Sequence, residues 1–70
     1  MTPETIRALR QALEMTQEAL GRRVGVTANA VARWESGDRV PGLYYQERLR
    51  RLQRQVAGAQ AKAALEKEEE

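Results

Sequence analysis

The chain has 70 residues, contains neither Cys nor His, and carries a formal net charge of +2. A domain of this length buries only a small core, and its composition excludes disulfides and Cys/His metal sites as additional support. Residues 1–56 contain ten Arg and six acidic residues, a net charge of +4, whereas residues 57–70 contain two Lys and four Glu, a net charge of −2. A basic body with an acidic tail suits an anionic partner such as nucleic acid, although an ordinary solvated surface has the same composition.

The residues that most enzymes use are scarce. Ser36 is the only Ser, no Gly-rich phosphate loop follows a strand, and the acidic residues are scattered. We therefore expect no enzymatic activity, no cofactor and no metal. No apolar run has the length of a membrane span and no secretory signal is visible at the start, so we expect a cytoplasmic protein without a membrane partner.

Two short helices are predicted in the first part of the chain. The first covers residues 3–13, because Thr2 can cap its free amides and Pro3 suits the first helical position. The second covers residues 17–24, and Thr16 is its candidate N-cap.

A third helix is predicted over residues 28–35. Gly25 ends the preceding helix because glycine readily takes positive φ, and Thr27 caps the new one. Residues 36–42 have the composition of a turn, and Pro41 cannot continue a helix.

From Leu43 onward the sequence again favours helix, and residues 57–70 form either its continuation or a frayed acidic tail. No strand pattern appears, so we predict an all-α fold of four to five helices with a helical C-terminal extension. Residues 1–56 form the domain. The apolar residues with helical spacing form the expected core: Ile6, Leu9, Leu13, Leu20, Val24, Val31, Trp34, Leu49 and Leu52.

The second and third helices have the spacing of a unit that binds the DNA major groove, at about residues 17–35. The first helix of such a unit contacts the sugar-phosphate backbone of the DNA, and the second presents one face to the major groove. Gly25 permits the tight turn, and Gly21 lets the two helices approach closely. The chain resembles the lambda-repressor/Cro-like helix-turn-helix family over roughly residues 4–53, through TQEALGRRVGVT (16–27), Val31, WESG (34–37) and Pro41.

This resemblance implies a bacterial or phage transcription regulator of the xenobiotic-response-element type that binds its operator as a dimer. The chain departs from the family pattern at two positions. Gly21 stands where Ala is usual, which should loosen the second helix slightly, and Glu14 stands where Gly is usual, which should add mild strain.

The third helix carries the candidate base contacts. Asn29 can bond adenine and Arg33, four residues on, can bond guanine or a phosphate, although both residues are also ordinary on a solvated surface. Ala28, Ala30 and Ala32 are short enough for close approach to DNA, and Ala28 and Ala32 are candidates for contact with thymine methyl groups. Simple helix propensity explains these alanines almost equally well.

Four residues around this helix are candidates for phosphate contact. Gln17 lies at a helix start, where free amides favour a phosphate, and the family places a phosphate-contacting Gln there. Ser36 and Arg39 are expected in the loop after the third helix. Thr27 is primarily a cap, although its hydroxyl can reach a phosphate.

Three further residues are assigned to the architecture. In the family, an Arg in the first helix often pairs with a Glu at the end of the third, and the resemblance implies this ion pair for Arg10 and Glu35. Trp34 could stack on a base, but its place among apolar residues favours the core.

Three functions remain open at this point. The leading one is a sequence-specific regulator of transcription, most simply a repressor, that binds double-stranded DNA with the third helix. The second is an antitoxin or adaptor that uses the same fold to bind a protein partner, and the third is a non-specific nucleoid or RNA binder. We expect a homodimer on a palindromic operator, through a helical seam of Leu49, Leu52, Val56, Ala59 and Ala63 or through residues 38–50.

Overall fold

The structure, a computed structural model, describes the backbone of residues 1–68 and the side chains of residues 1–59. Within these bounds the chain forms four helices and no strand, which confirms the predicted all-α fold. The helices are α1 (Pro3–Ala12), α2 (Gln17–Val24), α3 (Ala28–Ser36) and α4 (Leu43–Glu68). No helix in residues 1–68 combines the length and apolarity needed to cross a membrane.

The starts of the first three helices are set by threonine caps, as predicted. The hydroxyls of Thr2, Thr16 and Thr27 accept hydrogen bonds from the third amide beyond each of them, at 3.1, 3.0 and 3.2 Å. Each bond satisfies an amide that the helix leaves free. The local sequence therefore determines where each of these three helices begins.

Gly21 and Gly25 shape the turn between α2 and α3. Gly25 ends α2 with φ of 94°, in the left-handed region expected of it. The carbonyl of Gly21 accepts hydrogen bonds from the amides of Gly25 and Val26, both at 2.8 Å. A Cβ atom at Gly21 would lie 2.6 Å from the carbonyl oxygen of Val26, so this glycine lets the turn close directly over α2.

The core lies between all four helices. The buried apolar side chains are Ile6, Leu9, Leu20, Val24, Val31, Trp34, Leu49 and Leu52. The ring of Trp34 packs 5.8 Å from that of Tyr45, which brings the start of α4 against α3. Pro41 is buried as well, and it lies in the segment where the sequence indicated only a turn.

The structure corrects three details of the sequence analysis. α1 ends at Ala12, and Leu13 is only partly buried because it lies at the C-cap on the edge of the core. Ser36 is the last residue of α3 and does not lie in the following loop, since the helix continues to its C-cap at Gly37. By contrast, the strain expected at Glu14 is present, because this residue takes a φ of 55°, a conformation in which a glycine would be relaxed.

The burial of residues along α4 limits which of them can form the expected dimer seam; the sequence analysis had already placed Leu49 and Leu52 in the core as well. Leu49 and Leu52 are 0% and 5% exposed, so they belong to the core and are unavailable to a second copy. Val56 is partly buried and Ala59 is exposed, while the side chain of Ala63 lies outside the described residues. The helix continues past Gly58 to Glu68 without a break, so a frayed tail does not begin at residue 57.

Candidate nucleic-acid interface

The outward face of α3 carries the predicted base-contacting side chains. Asn29 and Arg33 are exposed one helical turn apart, and the shorter Ala28 and Ala32 beside them are half-buried. Thr27, Asn29, Ala30, Arg33 and Arg39 line one shallow concavity of about 250 Å³. The fold therefore joins three polar candidates from the helix and its cap to Arg39 from the following loop.

The loop that carries Arg39 is fastened to the end of α3. The backbone amide of Arg39 donates to the carbonyl of Arg33 at 3.2 Å. The hydroxyl of Ser36 donates to the same carbonyl at 3.1 Å and accepts from the amide of Asp38 at 3.3 Å. These bonds hold Arg39 beside Arg33, and they occupy the one proton that Ser36 has to donate.

Gln17 joins the start of α2 to the end of α3. It is the first residue of α2, where the backbone amides are free, and it is half-buried. Its side-chain amide donates to a carboxylate oxygen of Glu35 at 3.4 Å. Gln17 is thus oriented by an internal contact while it stays partly accessible at the helix N-terminus.

The buried carboxylate of Glu35 connects α1, α2 and α3 beneath the proposed interface. Its side chain is 3% exposed, and Arg10 donates to its two oxygens from Nε at 2.6 Å and from Nη2 at 3.0 Å. Arg10 also donates to the carbonyl of Met15 at 3.1 Å. This two-pronged contact fixes α1 to the end of α3 and to the turn before α2.

Burial and pairing act in opposite directions on this carboxylate. Burial alone raises the pKa of Glu35, but hydrogen bonds from Arg10 and Gln17 and the charges of Arg10 and Arg7 bring that pKa below its usual range. The hydrogen bond to Glu35 raises the pKa of Arg10. Both groups are therefore charged at neutral pH, and the pair is an ionic one.

Arg7 is a contributor that the sequence analysis did not identify. Its guanidinium donates to the backbone carbonyl of Glu35 at 3.2 Å and approaches the carboxylate at 3.8 Å. The signal was available, because Arg7 precedes Arg10 by three residues and therefore shares its helix face.

The geometry of α2 and α3 agrees with the comparison to known protein families. The sequence profile described as helix-turn-helix matches residues 6–44, which is more than half of the chain. The chain belongs to the helix-turn-helix family. This lambda-repressor/Cro-like family consists of DNA-binding domains that are typically non-enzymatic and act in transcription regulation.

The other comparisons add no relative: no curated protein and no solved structure matches the chain. Within the described part of this helix-turn-helix domain, no three Asp or Glu side chains are grouped as a metal site would require. The groups available for binding at α3 are hydrogen-bond donors and acceptors, namely the side-chain amide of Asn29 and the guanidinium groups of Arg33 and Arg39.

Proposed function

We propose that the chain is a sequence-specific regulator of transcription, of the xenobiotic-response-element type, that inserts α3 into the major groove of an operator half-site. The observation that carries this proposal is the joint exposure of Asn29 and Arg33 on one face of α3. Arg39 borders the same concavity, where it can approach a phosphate while α3 contacts the bases.

The side chains on α3 define the expected contacts. Asn29 bonds N6 and N7 of an adenine, and Arg33 bonds O6 and N7 of a guanine. Ala28 and Ala32 set the distance to the groove and present methyl groups to thymine. Because Asn29 pairs with adenine and Arg33 with guanine, the selected half-site should contain both A·T and G·C pairs.

Phosphate contacts then fix the orientation of the domain on the duplex. Gln17 and Arg39 approach the backbone from the start of α2 and from the loop after α3. The hydroxyl of Thr27 accepts its capping bond, so its proton remains available to a phosphate. Ser36 contributes least among the four, because it must first give up its bond to the Arg33 carbonyl.

A homodimer on a palindromic operator completes the proposal, and such a dimer represses by occupying the promoter. The candidate contact is the Val40 patch, which consists of Val40, Leu43 and Tyr44. These side chains are 75%, 82% and 64% exposed. Val40 follows Arg39 in the loop, and Leu43 and Tyr44 are the first two residues of α4. A contact there joins two copies close to the DNA, in the region 38–50 that the sequence analysis gave as the alternative to the helical seam.

Selection of duplexes from a random pool by the full chain, followed by sequencing, tests the proposal. It should yield a half-site, and Asn29→Ala and Arg33→Ala should each weaken binding to it by about 1–3 kcal/mol and relax one base position. Arg22→Ala is the matched control, because Arg22 is an exposed arginine on α2 whose partner is Glu18. Selection without enrichment, or equal binding by all three variants, contradicts the proposal.

An antitoxin or adaptor function is the second candidate, and the Val40 patch is the observation that favours it. An exposed apolar patch beside a loop is a typical contact for a protein partner. An adaptor would show little preference between the selected and scrambled duplexes, whereas a specific regulator prefers its site by a large factor at physiological salt.

A further inference from the structure

Much of the positive charge of this domain lies away from α3. Among the described ion pairs, Arg10 and Arg7 face Glu35, Arg22 faces Glu18, and Arg54 lies 3.8 Å from Glu47. Arg33 and Arg39 lie on the proposed DNA face. The remaining arginines are Arg23 at the end of α2 and Arg48, Arg50 and Arg51 on α4.

Three of these arginines surround a single notch. The arginine notch is an opening of about 180 Å³ lined by Arg23, Arg48, Arg51 and Gln55, with Val24 and Leu52 also in its wall. It shares no residue with the concavity around Arg33. Within residues 1–59, none of the ion pairs includes Arg23, Arg48 or Arg51, so no described carboxylate pairs with these three notch arginines.

One member of the notch is also held in place. The guanidinium of Arg48 lies 5.5 Å from the centre of the Tyr44 ring and donates to the Tyr44 hydroxyl at 3.0 Å. Such contacts reduce the entropy that an arginine loses when it binds a ligand. An oxyanion that enters the notch can accept hydrogen bonds from more than one of its guanidinium groups.

We propose that the arginine notch is a second phosphate-binding site, which holds a DNA backbone phosphate outside the half-site that α3 contacts. One guanidinium group can donate two parallel hydrogen bonds to a phosphate, and the side-chain amide of Gln55 adds an uncharged donor. The phosphate belongs either to a flanking stretch of the same duplex or to a second duplex. The proposal goes beyond the proposed function, although it shares with it the expectation that DNA is the ligand.

Two double variants separate the notch from general charge. Arg23→Gln/Arg51→Gln removes two notch residues and spares Arg48, which also contacts the Val40 patch. Arg50→Gln/Arg54→Gln removes the same charge from exposed positions on α4 that do not line the notch. All four positions are exposed, so both variants should fold like the parent chain.

The first measurement compares a fluorescent duplex carrying only the selected half-site with a longer duplex carrying the same half-site and flanking DNA. If the phosphate lies on the same duplex, the salt dependence of binding is steeper on the longer duplex by roughly one unit per phosphate contact. The notch variant should lose this difference, while the control variant should keep it.

The second measurement asks whether protein saturated with the short duplex captures a second, differently labelled duplex of scrambled sequence. Capture by the parent chain and the control, with loss in the notch variant, assigns the phosphate to a second duplex. If the notch variant matches the control in both measurements, the proposal is wrong. If the parent chain shows no preference for the selected sequence, the proposed function fails, yet selective loss of scrambled-duplex binding in the notch variant still supports the notch.

Discussion

Replacing Arg10 by methionine is expected to remove a large part of the stability of the domain. Arg10→Met keeps much of the aliphatic side chain but leaves the carboxylate of Glu35, 3% exposed, without its two-pronged partner. Breaking a buried ion pair from one side costs about 3–5 kcal/mol. The guanidinium of Arg7 remains 3.8 Å from the carboxylate, so we expect a loss of about 3 kcal/mol, near the low end of that range.

Urea unfolding followed by the fluorescence of Trp34 measures this loss. Two variants serve as controls. Arg22→Met breaks an exposed pair with Glu18 on the same kind of helix surface and should cost less than about 0.5 kcal/mol. Arg10→Met/Glu35→Leu removes both charges and should regain most of the stability, because the buried charge is then gone. A cost for Arg10→Met similar to that for Arg22→Met would refute the argument.

The pH dependence provides an independent test of the same contact. In the parent chain the pKa of Glu35 is lowered, so its stabilising contribution is present above the ordinary pKa of Glu and is lost as pH falls through the folded-state value. In Arg10→Met the hydrogen bond and the charge of Arg10 are removed, so we expect burial to raise the pKa of Glu35 relative to the parent chain. The variant should therefore gain stability as pH falls toward the ordinary pKa of Glu, and the difference from the parent chain should narrow. A constant difference across acidic pH would contradict this linkage.

Two further substitutions test the packing of the fold. Trp34→Ala empties a core site against Tyr45 and should cost about 3–5 kcal/mol by thermal or urea unfolding; a melting temperature close to that of the parent chain would show that Trp34 does not support the core. Gly21→Ala, despite the better helix propensity of alanine, should destabilise by about 1–3 kcal/mol, because the added Cβ meets the Val26 carbonyl at 2.6 Å. A stabilised Gly21→Ala would show that the turn relaxes, and the exposed Gly58→Ala is its control.

The sequence was most informative where structure is set within a few residues. The caps at Thr2, Thr16 and Thr27 were predicted because each hydroxyl meets an amide three residues later. The positive φ of Gly25 was predicted in the same way, because a helix end requires it locally.

Features that depend on how distant helices meet were harder to predict. The pattern of α4 places Leu49, Leu52 and Val56 on one face, and the sequence analysis assigned Leu49 and Leu52 to the core but left open whether they also meet a second copy. The burial of Leu49 and Leu52 settles this question in favour of the core. Pro41 is buried as well, although the sequence around it predicted only a turn.

In the candidate site, too, features set within one helix were predictable from the sequence, and features that depend on contacts between distant segments were not. The exposure of Asn29 and Arg33 follows from helix periodicity once Val31 and Trp34 are assigned to the core. The hydrogen bonds of Ser36 depend on where α3 ends, one residue later than the pattern indicated. The arginine notch joins the end of α2 to the middle of α4, residues more than twenty positions apart, and no sequence spacing indicates it.

Two copies bound to one operator are expected to meet through the Val40 patch. Val40, Leu43 and Tyr44 together present on the order of 400 Å² per copy, so a symmetric contact buries less than the roughly 1,200 Å² of a stable interface. The free chain should therefore be monomeric at low concentration. Two half-sites about 34 Å apart hold two copies together at a high effective concentration, where even a weak contact produces cooperative binding.

Leu43→Glu should abolish this cooperativity and leave binding to a single half-site within about twofold, because Leu43 is 82% exposed and contributes little to the fold. Leu43→Met is the matched control and should keep cooperativity. Truncation after Gln55 should also keep it, because the Val40 patch lies before that point and Leu49 and Leu52 are already occupied in the core. Titration of duplexes with one and two half-sites distinguishes the cases. If cooperativity survives Leu43→Glu and disappears on truncation, the Val40 patch is not the contact. The two copies would then meet through the C-terminal part of α4, the segment that the truncation removes.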